Sequence, residues 1–214
     1  MTVADRVNTR PETMHAAMYY APGEARYEST TLPTVGPGEM LVQVNTALTC
    51  GTDLKCLRRG HPVLLKNLPS PFGHEFAGTV VEVGEGVTRF QLGDRVVAAN
   101  SAPCYSCFYC QKGKYNLCEA LDLLNGAYAQ YLKIPARIVA HNTYRVPEYL
   151  PFELAAFTEP LAVSLRGVEL AGVSPGDRVA VMGVGAIGQL VTRVCKWKGA
   201  HVTAMGRSPF KLNL

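Results

Sequence analysis

Arg178-Val179-Ala180-Val181-Met182-Gly183-Val184-Gly185-Ala186-Ile187-Gly188 decides the fold of the C-terminal part of this chain. The first five residues are an apolar run of strand length. Gly-x-Gly-x-x-Gly closes that strand, and a helical stretch follows from about Gln189 to Lys198. Alone the three glycines would say little, but between a strand and a helix they form a dinucleotide fingerprint. Gly183 permits the turn, Gly185 lets backbone approach a pyrophosphate, and Gly188 packs helix on strand. Ala186 and Ile187 complete the loop, at a helix N-terminus whose N–H groups and dipole favour an anion. Val202-Thr203-Ala204-Met205 then reads as a second strand, so this part is α/β with a doubly wound sheet.

The end of that second strand bears on the choice of cofactor. NAD-binding domains place an acid about 20 residues past the fingerprint, on the ribose 2′-hydroxyl. Here Gly206-Arg207-Ser208 stands at that point, with no acid. Gly206 opens space, Arg207 offers a planar, permanently charged fork for a 2′-phosphate, and Ser208 offers a hydrogen bond. The expectation is NADP, with NAD as second choice.

Working outward toward the N-terminus, the composition changes at about Phe152. Leu154 to Phe157 reads as helical, and Pro160 suits the first turn of a helix reaching Leu170. Gly172 and Pro175-Gly176 end it. Upstream lie short strand-like segments separated by Gly and Pro turns: Met18–Tyr20, Met40–Ala47, the β-branched Thr79–Val83, Val96–Ala99, Ala127–Ile134 and Ile138-Val139. That pattern predicts a compact, mostly β, barrel-like domain. The divisions expected are a loose polar leader over 1–15, the β domain over 16–152, connecting helices over 153–174 and the nucleotide-binding part over 175–214.

The composition excludes several classes of function. Of 214 residues, 48% are apolar and 18% charged, which fits a globular protein. The net charge is +4 and no run of five or six basic residues occurs, so nucleic-acid binding has no support. No apolar run is long enough to span a bilayer, and the first fifteen residues lack the apolar core of a signal peptide. The seven cysteines are therefore read in a reducing cytoplasm, where close clusters point to metal before disulfides.

Cys104-x-x-Cys107-x-x-Cys110-x7-Cys118 is the most specific metal signal. Four thiolates on one loop can close a tetrahedral structural zinc site. Ferredoxin-type cysteine runs continue with x3-Cys-Pro, whereas here the gap is seven and Glu119 follows, so zinc is favoured over iron–sulfur. Gly73-His74-Glu75-Phe76-Ala77-Gly78 sets an imidazole beside a carboxylate between glycines, and both are ordinary zinc ligands. A zincin helix is excluded because position 78 is glycine rather than histidine. Cys50 and Glu159 are metal-capable too, though each has a plainer reading, as a small core residue and as a first-turn helix acid. Cys56 and Cys195 are read as core.

Cys50-Gly51-Thr52-Asp53, Gly73–Gly78, the four-cysteine lobe, Glu159-Pro160-Leu161-Ala162 and Gly183–Gly188 together resemble the zinc-dependent medium-chain dehydrogenase/reductase family. The resemblance covers nearly the whole chain from about Met18. It implies a GroES-like catalytic domain followed by a Rossmann domain, with two zinc ions, one catalytic and one structural. It also implies Cys50 and His74 as catalytic zinc ligands, Glu75 able to approach the metal, and Thr52 passing the substrate proton away. Alcohol dehydrogenases of the family supply a cysteine near position 159; Glu159 here matches the polyol and threonine dehydrogenase branches. Whether Glu159 binds zinc or holds its water stays open. The implied partners are a small alcohol, polyol or carbonyl substrate and, for full-length proteins, a second or further copies in a homodimer or homotetramer.

A doubly wound domain has six strands, and this sequence stops after the second. The sequence therefore reads as a fragment. Two functions remain open at this stage: a zinc- and NADP-dependent alcohol or polyol oxidoreductase, or a non-catalytic zinc-binding module derived from one.

Overall fold

The computed structural model describes residues 11–65 and 67–213, in two units, Met1–Ala156 and Phe157–Leu214. In chain order the first unit comprises β1 (Thr13–Ala21), β2 (Glu24–Thr31), β3 (Met40–Leu48), α1 (Gly51–Arg59), β4 (Ser70–Pro71), β5 (Glu75–Val83), β6 (Arg95–Ala98) and β7 (Ser101–Ala102). It continues with α2 (Phe108–Gln111), a 3-10 turn (Tyr115–Leu117), β8 (Asp122–Leu123), β9 (Tyr131–Ile134), α3 (Ala136–His141), β10 (Thr143–Arg145) and α4 (Phe152–Ala155). The second unit comprises α5 (Thr158–Leu170), β11 (Arg178–Met182), α6 (Ala186–Trp197), β12 (His201–Met205) and α7 (Pro209–Leu212).

Among the described residues the first unit is built on an antiparallel sheet in the order β10-β6-β5-β3-β9, with a second sheet in the order β2-β1-β4. Residues 128–130 stitch the two together: Ala17 N–H donates to Tyr128 O and Val44 N–H to Gln130 O. Met40, Val42, Phe76, Val80, Val96, Leu132, Ile134 and Ile138 form the main core. Burying each such side chain contributes about 1.5–3 kcal/mol, which is why these apolar positions dictate this half of the fold. Strands β3 and β5 run antiparallel with irregularities between Leu41 and Val42 and between Val44 and Thr46. Their register sets Leu48 opposite Glu75, and this pairing later places the site.

Two expectations from the sequence are corrected. β1 begins at Thr13, inside the stretch read as leader; residues 1–10 of that leader lie outside the described residues. Ile138 and Val139 lie in helix α3, where both are buried, rather than in a strand. Pro135 at its N-cap and the helix-compatible Ala136-Arg137 overrode the β preference of two branched residues. The segment after Cys50 is helix α1.

In the second unit β11 and β12 pair in parallel, from Arg178 opposite His201 to Met182 opposite Met205. Val168, Val173, Val194 and Cys195 form its core together with partly buried Val179, Val191 and Val202. The βαβ crossover through α6 is the connection a parallel pair requires. Helix α6 starts at Ala186, a turn earlier than its sequence suggested.

Candidate functional site

Strand β3 ends at Leu48, and Cys50 then caps helix α1 in an extended conformation. Its Sγ accepts from Thr52 N–H at 3.4 Å, while Cys50 N–H donates to Asp53 Oδ2 at 2.9 Å. This is a capping box in which a thiol takes the hydroxyl's usual place. β5 starts at Glu75 opposite Leu48, so His74 and Glu75 arrive beside that cap. The ligand atoms of Cys50, His74 and Glu75 all lie within 4.8 Å of one another. His74 is 6% exposed and Glu75 4% exposed.

Asp53 is the site residue whose role the sequence did not disclose. It is 5% exposed, and its Oδ1 lies 3.1 Å from His74 Nδ1. Its Oδ2 accepts from Tyr128 Oη–H at 2.6 Å as well as from Cys50 N–H. Burial opposes its ionisation, yet the bonds from His74, Tyr128 and Cys50 outweigh it and hold the carboxyl below its usual range. With Nδ1 given to Asp53, a metal would be taken at Nε2, and a carboxylate behind the imidazole fixes its tautomer and raises its basicity. The signal was present as the fourth residue of Cys-Gly-Thr-Asp, but only the fold shows what it meets.

Burial pushes the Cys50 thiol up, with the bonds from Thr52 opposing. Burial likewise pushes the Glu75 carboxyl up, against the attraction of His74. Two acids whose charged forms are disfavoured by their surroundings, beside an oriented imidazole, are a donor set that a divalent cation would satisfy. Thr52 is half-buried in the first turn of α1. Glu159 is half-buried in the first turn of α5, in the second unit, followed by buried Pro160. The structure thus gathers Cys50, His74 and Glu75, with Thr52 next to Cys50 along the helix, while Glu159 stands on another unit.

Gly73 shows why this stretch needs glycine. Its φ is +95°, and a Cβ there would lie 2.7 Å from the Tyr128 ring. The aromatic ring therefore packs flush against the backbone that carries His74.

The cysteine loop is a separate cluster. β7 and β8 pair at its base, Ser101 opposite Leu123, and Arg137 Nη1 clamps its exit through Ala120 O at 2.7 Å and Asp122 Oδ1 at 3.3 Å. The sulfurs of Cys104, Cys107, Cys110 and Cys118 lie within 4.8 Å of one another, and all seven cysteines carry free thiols. Cys104 Sγ accepts from Cys107 N–H at 3.3 Å, and Cys118 Sγ from Cys104 N–H at 3.1 Å. Bonds from Ser106, backbone first, bring the Cys104 thiol down to about 5, and bonds from the Glu119 and Cys110 backbone lower Cys107. Burial, with the neighbouring thiols adding to it, pushes Cys110 up to about 12. Amide donors that favour thiolates on a tightly drawn loop of four sulfurs suit a tetrahedral metal.

The glycine-rich turn of the second unit shapes a third feature. A Cβ on Gly188 would lie 1.8 Å from Gly183 O, so only glycine lets the helix close onto the strand. Gly185 is the N-cap of α6 and, having no side chain, offers no cap bond to the first-turn amides. A cavity of about 570 Å³ lies alongside, lined by Gly183, Gly185, Gly206, Arg207, Ser208 and Lys211 among others. Ser208 also caps α7, its Oγ accepting from Lys211 N–H at 3.4 Å. Two points go beyond the sequence reading. Lys211, on α7, joins Arg207 at the cavity. Gly206 does not open space on its side-chain face, because a Cβ there would meet Val184 Cγ2 at 2.3 Å. An acid at 206 would thus lack room as well as being absent.

Residues 36–148 match the alcohol dehydrogenase GroES-like domain. The erythritol/L-threitol dehydrogenase of Mycolicibacterium smegmatis is 35% identical over 97% of this chain and 61% of its own length. This chain therefore spans less than two thirds of that relative. Among solved structures, a Sinorhizobium meliloti protein described as a zinc-binding dehydrogenase, bound to NADP, superposes with a TM-score of 0.85 at 32% identity. It covers 94% of this chain and 58% of the other. An Escherichia coli CFT073 alcohol dehydrogenase complexed with NADH superposes with a TM-score of 0.82 at 29% identity, over 95% of this chain and 59% of its own. With a GroES-like domain matched over half its length and a fingerprinted βαβ unit after it, the chain belongs to the zinc-type alcohol dehydrogenase family of medium-chain dehydrogenases.

Proposed function

We propose that this chain serves zinc-dependent hydride transfer between an alcohol or polyol and a nicotinamide cofactor, with NADP(H) preferred. The observation that carries the proposal is the convergence of half-buried Cys50 with buried His74 and Glu75, with Asp53 behind the imidazole. Zinc bound there supplies Lewis acidity, which polarises a carbonyl or acidifies a hydroxyl. Cys50, His74 and Glu75 hold it, and Asp53 keeps the His74 lone pair aimed. Glu159 would complete the set, as ligand or as holder of a water. Thr52 offers the hydroxyl through which the substrate's proton leaves. Cys104, Cys107, Cys110 and Cys118 hold a second, structural zinc.

Gly183, Gly185, Ala186, Ile187 and Gly188 receive the pyrophosphate, and the hydride chemistry belongs to the nicotinamide. One structural neighbour carries NADP and another NADH, so the preference rests on this chain's own residues. Arg207, with Ser208 and Lys211 around the same cavity, presents positive charge and donors where a 2′-phosphate would sit. A charge-assisted contact of about 1.5–3 kcal/mol corresponds to at least about tenfold in preference. The working form is cytoplasmic, in a homodimer or homotetramer.

A second reading is a non-catalytic zinc-binding module, in which the four-cysteine loop, a ligand group separate from Cys50, His74 and Glu75, alone holds metal. Titration with NADPH and NADH, alongside kcat/KM on a panel of alcohols and polyols, tests both. NADPH-dependent turnover, weakened about tenfold by Arg207→Ala with NADH use unchanged, supports the enzyme. A preference for NADH refutes the cofactor assignment, and zinc without cofactor binding turns the conclusion to the module.

A further inference from the structure

Tyr128 stands outside every motif discussed so far, on the segment leading into β9, yet it touches the candidate metal centre twice. Its Oη donates to Asp53 Oδ2 at 2.6 Å, shorter than the other two contacts that carboxylate makes, 2.9 Å from Cys50 N–H and 3.1 Å to His74 Nδ1. Leu48 O, at the end of β3, lies 3.0 Å from the same hydroxyl. The ring meanwhile lies where a Cβ of Gly73 would be, and is braced edge-on by Phe72 at 5.1 Å between centroids. The backbone around Tyr128 grips the same place. Gly126 and Ala127 N–H both donate to Gly73 O, at 2.8 and 2.9 Å, and Tyr128 N–H donates to Phe72 O at 3.0 Å.

Resting on the metal reading above, we infer that Tyr128 is a positioning residue for the metal-binding histidine. Its hydroxyl fixes the carboxylate that orients the His74 imidazole, and its ring fixes the backbone from which His74 projects. Neither contact reaches the metal or the substrate. The physical need is plain: a carboxylate oxygen can pivot about Asp53 χ2, and an imidazole held by a pivoting partner is held loosely. A second donor on the far oxygen removes that freedom. Partners behind a metal ligand matter about 10–100-fold in metal affinity.

Tyr128→Phe separates the two contacts, because it keeps the ring against Gly73 and deletes only the hydroxyl. In the full chain, zinc affinity at the Cys50–His74–Glu75 site, measured by chelator competition, is expected to weaken about tenfold. The lobe metal is unaffected, and the visible spectrum of the cobalt-substituted site shifts because the imidazole is no longer fixed. A Tyr128→Phe protein with zinc affinity within about twofold of the parent and an unchanged cobalt spectrum overturns the inference. Asp53→Asn supplies the second arm: if Tyr128 acts through Asp53, adding Tyr128→Phe to Asp53→Asn weakens zinc little further. Fully additive losses overturn that route. A parent chain that takes up metal only at the cysteine lobe refutes the metal reading itself, a result distinct from unaltered binding in Tyr128→Phe.

Discussion

The four-cysteine loop and the Cys50–His74–Glu75 cluster offer metal ligands in opposite ways. The loop draws all four sulfurs from one stretch, 104–118, closed at its base by the β7–β8 pair. Little apolar side chain supports it: Phe108 is 62% exposed and Tyr115 48%. The other cluster draws its ligands from two distant segments brought together by the β3–β5 register, with His74 and Glu75 buried. A loop of the first kind depends on its ion to be folded, since metal binding there is folding free energy. A cluster of the second kind is folded by its scaffold and tolerates the loss of its ion. The same element would thus hold a shape in one place and perform chemistry in the other.

The largest effect expected from this contrast is on the loop. Cys107→Ser removes one metal equivalent and destabilises the first unit by about 4 kcal/mol or more, read by metal analysis and denaturant unfolding. Equal stability after that loss would mean the loop does not need its ion. Next comes Gly73→Ala, which sets a Cβ against the Tyr128 ring at a left-handed φ. It is expected to cost about 1–3 kcal/mol and to displace His74, so that the buried cluster loses metal while the loop keeps its own. Loss from both sites would show the two to be coupled.

The smallest effect concerns charge in the metal-stripped protein. Burial raises the Glu75 carboxyl, so the folded chain retains a proton that the unfolded chain releases. Stability from this group is therefore full below the ordinary glutamate range, about 4.3, and falls as pH rises through the raised folded value. Asp53 works the other way: its stabilisation is present above about 3.9 and is lost as pH falls through its lowered value. Glu75→Gln should flatten the decline toward neutral pH and raise the metal-free Tm at pH 7 by a few degrees, while weakening metal uptake. No change in the metal-free pH profile would mean that burial at Glu75 carries no electrostatic cost.

What the sequence disclosed follows the same division between local and distant contacts. Cys104 to Cys118 and Gly183 to Gly188 could be interpreted directly, because the chemistry of each is complete within one loop or one turn. Helix α1 was missed because its cap is a cysteine, a residue that seldom announces a helix start. Ile138-Val139 misled because β-branched residues in a short buried helix carry the same pattern as a strand. Asp53 and Tyr128 were silent for a stronger reason. Their roles exist only once β5 has paired with β3 and residues 126–128 have closed over Gly73. Gly206 was half legible: the missing acid was visible, but the methyl of Val184 that fills its side-chain face was not.

The claim that this molecule carries two metal centres of different kinds is tested most directly by counting zinc in the full chain with and without His74→Ala. The parent is predicted to hold two equivalents, and His74→Ala one, with the loop metal and the fold of the cysteine lobe intact. A variant that keeps both ions, or loses both together, would contradict the account.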